Sequence, residues 1–177
     1  MHVQRRPDAD LVLAARTGSR DAAAELFRRH WPRAWRLARA VTGRRDMADD
    51  VAQDAFERAF AALWRFDRRR PFRPWLDRIV VNRSLDLLRA ERRLVGLEAA
   101  GDPGGELRDL AAEDRELLAA VAGLAPQRRV VLVLRYGFGY GPAEIAALLG
   151  IPVGTVHSRL ARALDDLRRE REEALDG

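Results

Sequence analysis

The stretch Gly96–Asp114 divides this chain and limits what it can fold into. It is acidic, poor in large apolar residues, and carries the run Gly101-Asp102-Pro103-Gly104-Gly105, so it continues neither a helix nor a strand. On both sides of it apolar residues recur at helical spacing, and strand signals are scarce. The 177 residues therefore predict an all-α protein: two small helical domains joined by a flexible acidic linker. The expected limits are 8–95 for the first domain, 96–114 for the linker and 115–172 for the second.

Within the first domain, Asp8 and Asp10 are expected to cap a short helix that Gly18 ends. Ser19 or Asp21 opens a longer one, with Leu26, Phe27, Ala34, Leu37, Ala38 and Val41 at helical spacing, and Pro32 is expected to kink it. A third helix runs from Asp46 to Trp64, and Phe66–Arg73 reads as a basic loop. Pro74 suits the first position of a fourth helix that reaches about Arg93. Beyond the linker, helices are predicted over Glu116–Leu124, from Pro126 through Arg135, over Pro142–Leu149 and over Val153–Arg171.

Several chemistries are excluded or disfavoured at once. With no Cys there is no disulfide framework, thiolate ligand or Cys nucleophile, and His2, His30 and His157 are too scattered for a zinc cluster. No metal or cofactor is expected. No apolar run is long enough to span a bilayer, and Met1–Arg6 lacks the apolar core of a signal peptide, so the expectation is a cytoplasmic protein without membrane insertion.

Charge is unevenly spread. All 32 basic residues are Arg, a choice that a GC-rich genome explains without function. Their placement says more. Met1–Val95 holds 22 Arg against 13 acids, whereas Gly96–Ala125 holds two against seven. A basic half suits a polyanion such as nucleic acid.

Three stretches carry the functional reading. In the second domain Ala146, Gly150 and Val156 occupy the small, turn and buried-aliphatic positions of a helix-turn-helix. With Val156 and Leu160 inward, Thr155, Ser158, Arg159 and Arg162 share the opposite face beside His157, where a recognition helix meets the major groove. A plain helical hairpin with a solvated Arg face is the alternative. In the fourth helix of the first domain, Trp75, Asn82, Asp86, Arg89 and Arg93 fall on one face, next to a loop carrying Arg68, Arg69, Arg70 and Arg73. That combination suits a base taken out of its stack, although Trp75 alone also reads as a core residue. In the third helix, Asp49, Asp50, Gln53, Asp54 and Glu57 form an acidic flank, with Phe56 and Phe60 as a second apolar stripe. Acids there also suit the helix dipole. Carboxylates do not dock on DNA, so this flank points to a basic protein partner.

Ala48-Asp49-Asp50-Val51-Ala52-Gln53-Asp54-Ala55-Phe56 resembles the core-polymerase-binding motif of bacterial sigma factors. Trp75-Leu76…Ile79…Asn82…Asp86…Leu88-Arg89…Arg93 resembles their minus-ten helix, and Gly154–Leu160 their minus-thirty-five recognition helix. The order and short length are similar to the extracytoplasmic-function subfamily, which keeps regions two and four only. Two positions depart from the pattern: His157 stands where Lys or Arg is common, and Gly141-Pro142 replaces a Ser or Thr cap.

The resemblance implies an alternative sigma factor that directs promoter recognition, promoter opening and transcription initiation, with no catalytic residues of its own. Its implied partners are core RNA polymerase, promoter DNA and, as in many relatives, an anti-sigma factor; free, it would be a monomer. Asp49, Asp50, Gln53, Asp54 and Phe56 would bind core polymerase. Arg69, Arg70, Arg73, Trp75, Asn82, Asp86, Arg89 and Arg93 would serve the minus-ten element. Thr155, His157, Ser158, Arg159 and Arg162 would serve the minus-thirty-five element. A dimeric helix-turn-helix regulator accounts for the second domain but leaves the acidic flank without a purpose. A nuclease holding magnesium on Asp49, Asp50 and Asp54 lacks a second catalytic constellation.

Overall fold

The computed structural model describes residues 6–95 and 119–176, and all regular structure among them is helical. The linker 96–114 and the start of the helix expected over Glu116–Leu124 lie outside the described residues.

Helix α1, Asp8–Arg16, buries Leu11 and Val12. Asp8 does not cap it as expected. Its carboxylate instead accepts from Arg29 at 2.7 Å and pairs with His30 at 2.8 Å. Helix α2, Arg20–Thr42, begins where Ser19 Oγ accepts the Ala22 amide and ends at Gly43, whose φ of +77° favours glycine. It continues through Pro32, whose missing N–H lies on an exposed side. Phe27, placed in the core by spacing alone, is instead 37% exposed.

Helix α3, Arg45–Ala62, buries a stripe from Met47 to Ala59 and runs into a 3-10 turn, Leu63–Arg65. Helix α4, Phe72–Val95, starts two residues before the predicted Pro74, because buried Phe72 joins a ring cluster with Phe66 and Trp75. Pro74 still falls in the first turn, where no intrahelical N–H is needed. Helices α2, α3 and α4 pack on one another with α1 across α2.

The second bundle comprises residues 119–123 (α5), Pro126–Leu132 (α6) with a π turn over Val133–Gly137, Pro142–Leu149 (α7) and Val153–Asp176 (α8). Its helices close on Leu134, Ile145, Val156 and Leu160. The sequence suggests modules connected only by a tether, yet here α6 and α7 pack on α2 and α4, and both bundles share one continuous core cluster. Arg129 seals this seam. It is 6% exposed and donates to the carbonyls of Val41 at 2.9 Å, Leu124 at 3.0 Å and Ala122. Burial, helped by the like charge of Arg92, lowers its guanidinium to about 10.

Candidate nucleic-acid and protein interface

The acidic flank of α3 is exposed at Asp49, Asp50, Gln53 and Glu57. Asp49 Oδ1 accepts the Trp35 indole N–H at 2.6 Å, and Gln53 donates to Glu57 at 3.1 Å. Asp54 is tied down more firmly, pairing with Arg58 at 2.9 Å on its own helix and with Arg83 of α4. Burial alone would raise the Asp54 carboxyl, but the Arg58 hydrogen bond and the charges of Arg83 and Arg58 hold it below its usual value. Asp50 makes no ion pair among the described residues.

Phe56 corrects the sequence reading. It is 2% exposed, with its ring 4.8 Å from Phe27 and 5.9 Å from both Trp31 and Phe60, so it supports the α3 surface from beneath and offers no face to a partner. The aromatic surface beside the acids comes from α2. Phe27 stacks on Trp31 at 4.9 Å, and Trp35 follows one turn on. Spacing of four residues between these three was the signal for a second stripe on that helix.

On α4 the side chains of Asn82, Asp86, Arg89 and Arg93 are all exposed, as one face should be, with Asp86 accepting from Arg89 at 2.7 Å. Arg78, one turn before Asn82, is exposed too and extends that stripe; its i−4 position was the overlooked cue. Trp75 is half-buried, 4.7 Å from the Phe66 ring, and serves mainly to fix the loop end to the helix. The loop turns on Asp67, whose carboxylate and carbonyl accept the amides of Arg69 and Arg70 at 3.0 Å each. That turn leaves Arg68, Arg69, Arg70 and Arg73 exposed. Trp64 was also missed. It is 62% exposed, with the Arg65 guanidinium 4.4 Å from its ring, an aromatic and cationic pair next to the arginine loop.

In the second bundle Gly150 adopts φ +67°, and the Ile151 amide returns to Ala146 at 3.1 Å, turning the chain sharply between α7 and α8. Val156 is fully buried and Leu160 is 9% exposed. On the far side His157, Ser158 and Arg162 are exposed, while Thr155 and Arg159 are half-buried. The expected loss of a cap at Gly141-Pro142 is offset by Glu144, which accepts the Gly141 amide at 2.7 Å.

These surfaces lie within two recognised sequence families. Residues 26–94 match sigma-70 region 2, and residues 114–167 match sigma-70 region 4. The sigma factor CnrH of Cupriavidus metallidurans is 37% identical, over 88% of this chain and 91% of that protein. The extracytoplasmic-function sigma factor SigM of Mycobacterium tuberculosis is 36% identical, over 93% of this chain and 84% of that protein.

The chain is an extracytoplasmic-function sigma factor.

A solved structure of CnrH in complex with the cytosolic domain of CnrY superposes with a TM-score of 0.70 at 32% identity, over 94% of this chain and 97% of that one. In this sigma factor the acidic flank and the arginine loop with the α4 stripe belong to region two, and the helix-turn-helix belongs to region four. No helix among the described residues is long and apolar enough to cross a membrane. No group of three or more His, Asp or Glu among them is placed to hold a metal ion.

Proposed function

We propose that this sigma factor works as a non-catalytic initiation subunit in the cytoplasm, monomeric when free, with the nucleotidyl transfer left to core RNA polymerase. Region two, over 8–95, grips a basic helical element of core polymerase with Asp50, Gln53 and Asp49, while Asp54 holds the flank of α3 against α4. Region four, over 115–172, holds duplex DNA at the minus-thirty-five element, and the acidic linker 96–114 runs between them. The observation that carries this reading is the division of exposed side chains in region two. On α3 exposed carboxylates and an amide outnumber the exposed arginines Arg45 and Arg58, whereas on α4 and its loop exposed arginines and an asparagine outnumber the exposed carboxylates Asp67 and Asp86.

Each surface suits a different partner. An anionic helix face repels DNA and attracts a basic protein surface. The α4 stripe with Arg69, Arg70, Arg73 and Trp64 suits a single strand, in which an unstacked base meets an aromatic ring and phosphates meet guanidinium groups. Asn82 carries both a donor and an acceptor, as base reading requires. On α8, Arg159 would make the bidentate contact with guanine, and Thr155, Ser158, His157 and Arg162 would make phosphate or mixed contacts. A protein that covered the α3 and α4 surfaces together would act as an anti-sigma factor.

Reconstituted transcription tests this reading. The chain with core polymerase is expected to initiate from a discrete subset of a genomic promoter library. Asp50→Ala combined with Gln53→Ala is expected to abolish holoenzyme formation in a pull-down, since truncating one side of a buried charged contact costs about 2–5 kcal/mol. Wild-type affinity in that double variant would remove the proposed α3 surface. Failure of the intact chain to bind any bacterial core polymerase would remove the function.

A further inference from the structure

Trp64 does little for the core it adjoins. Leu63 and Phe66, on either side of it, are buried at 4% and 5% exposure, and Phe66 packs on Phe72 and Trp75. Trp64 itself is 62% exposed, and among the described residues no other ring lies against it. Its neighbours are cations. The Arg65 guanidinium sits 4.4 Å from the centre of its ring, and Arg16 of α1 donates to its carbonyl at 2.9 Å. That second bond ties the 3-10 turn to α1, so the backbone under the exposed ring is fixed. Leu13, one turn before Arg16, is 45% exposed and extends the apolar surface on that side.

The chemistry of this patch narrows its ligand. An indole backed by a guanidinium on one face offers its other face to a flat partner. The surrounding charge asks for an anion: Arg16, Arg65, Arg68, Arg69 and Arg70 are all exposed, and the Asp67 carboxylate among them already accepts the Arg69 amide at 3.0 Å. A ligand that is both flat and anionic is a nucleotide, and only an opened strand has a base face to give. Five residues separate Trp64 from Arg69, a reach of at most about 17 Å. At about 3.4 Å per stacked nucleotide, the ring stands within about five nucleotides of a base held at the loop. Arg68 lies between the two places, exposed to meet a phosphate.

We propose that Trp64, backed by Arg65, is a second base-stacking subsite of region two, separate from the one between Asn82 and the arginine loop. It holds a further unpaired base of the same strand. This rests on the reading above that region two takes single-stranded DNA. An aromatic face accepts any of the four bases, so the subsite adds affinity for an opened strand without adding sequence preference. Arg16 is a positioning residue: its guanidinium is spent on the Trp64 carbonyl and holds the turn.

An abasic scan of the opened strand tells the two subsites apart. The probe is a promoter recovered by reconstituted transcription, its non-template strand left unpaired around the minus-ten element. One nucleotide at a time is replaced by an abasic sugar, and binding to the holoenzyme is measured. Wild type is expected to lose about tenfold in affinity at two places within about five nucleotides of each other. Trp64→Ala is expected to bind the intact strand about tenfold less tightly and to become insensitive at one of those places, and Asn82→Ala at the other. Trp64→Tyr keeps a ring and is expected to stay within about threefold of wild type. Circular dichroism equal to wild type would show that the helices survive. A wild-type scan in Trp64→Ala overturns the subsite, as does silencing of the same place by Trp64→Ala and Asn82→Ala. If Trp64→Ala silences a place and Asn82→Ala silences none, the Asn82 assignment fails and the subsite stands. If the chain binds no core polymerase the functional reading fails separately, and the free chain with a twelve-nucleotide oligothymidine then decides. Binding about tenfold weaker in Trp64→Ala supports the subsite, and equal or absent binding overturns it.

Discussion

Region two and region four are both small helical bundles, but they are held together by different means. In region two the ring contacts run from Phe27, Trp31 and Phe56 to Phe60, and from Phe66 and Phe72 to Trp75. Beside local pairs it has several that join segments far apart in sequence: Asp8 with Arg29 and His30, Arg33 with Asp77, Arg44, just before α3, with Glu91, and Asp54 with Arg83. Region four relies on aliphatic side chains and one tight turn. Arg128 with Asp166 joins α6 to α8, while Arg168 with Asp165 and Arg169 with Asp166 stay within α8. Region two thus depends on contacts between positions far apart in sequence, and region four on a local motif. The first arrangement builds a broad platform whose α3 and α4 faces differ in charge. The second presents one helix at a fixed angle, as major-groove reading requires.

The strongest way to break this comparison is to open the aromatic core of region two. Phe56→Ala is expected to cost about 3–5 kcal/mol, because a fully buried ring leaves a cavity among neighbouring rings. For a chain of this size that lowers the midpoint of thermal unfolding by about 10 °C. A scan with an unchanged midpoint but weakened polymerase binding would return Phe56 to the surface, where the sequence alone had placed it.

Region four should answer to a backbone change instead. Gly150 has a positive φ, and a Cβ there would meet nothing within 4 Å, so the cost of a side chain is conformational and not steric. Gly150→Ala is expected to destabilise the helix-turn-helix by about 1–2 kcal/mol. Gly150→Asn should recover most of that, since Asn tolerates the left-handed region. Equal losses in denaturant titrations of the two variants would show that something other than the dihedral angle sets the cost.

The same contrast explains what could be read before any coordinates. The spacing of Ala146, Gly150 and Val156 is local, and a turn with two buried neighbours follows from it directly. The exposed α4 stripe was legible too, because one helix period fixes Asn82, Asp86, Arg89 and Arg93 together. Phe27 and Phe56 were exchanged because each belongs to a plausible apolar stripe of its helix, and only packing of α2 on α3 decides which ring is covered. Asp77 and Arg129 were invisible as core residues. Charged side chains are rarely buried without partners, and theirs come from other helices: Arg33 and Tyr140 for Asp77, and the Val41 carbonyl for Arg129. No periodicity encodes such pairs, so the seam was legible only as an interruption in the sequence.

The smallest expected effect separates support from contact on α3. Asp54 can act either as a direct polymerase ligand or as the tie that holds α3 against α4. Its carboxylate is about one quarter exposed and already pairs with Arg58 and Arg83, which favours the tie. Partly exposed pairs contribute about 0.2–1 kcal/mol each, so Asp54→Asn should lower stability only slightly at pH 7. The pH dependence gives a sharper reading. Because the folded carboxyl lies below its ordinary value, the unfolded chain takes up the proton first as pH falls. The contribution is therefore complete above about pH 4, near the ordinary Asp value, and is lost as pH falls through the folded one. Asp54→Asn should flatten the acid limb of the stability curve below about pH 4 and leave its neutral part nearly parallel to wild type. If Asp54→Asn leaves the acid limb unchanged but loses holoenzyme formation as completely as the Asp50 and Gln53 double variant, then Asp54 is a contact residue, and the tie between α3 and α4 lies elsewhere.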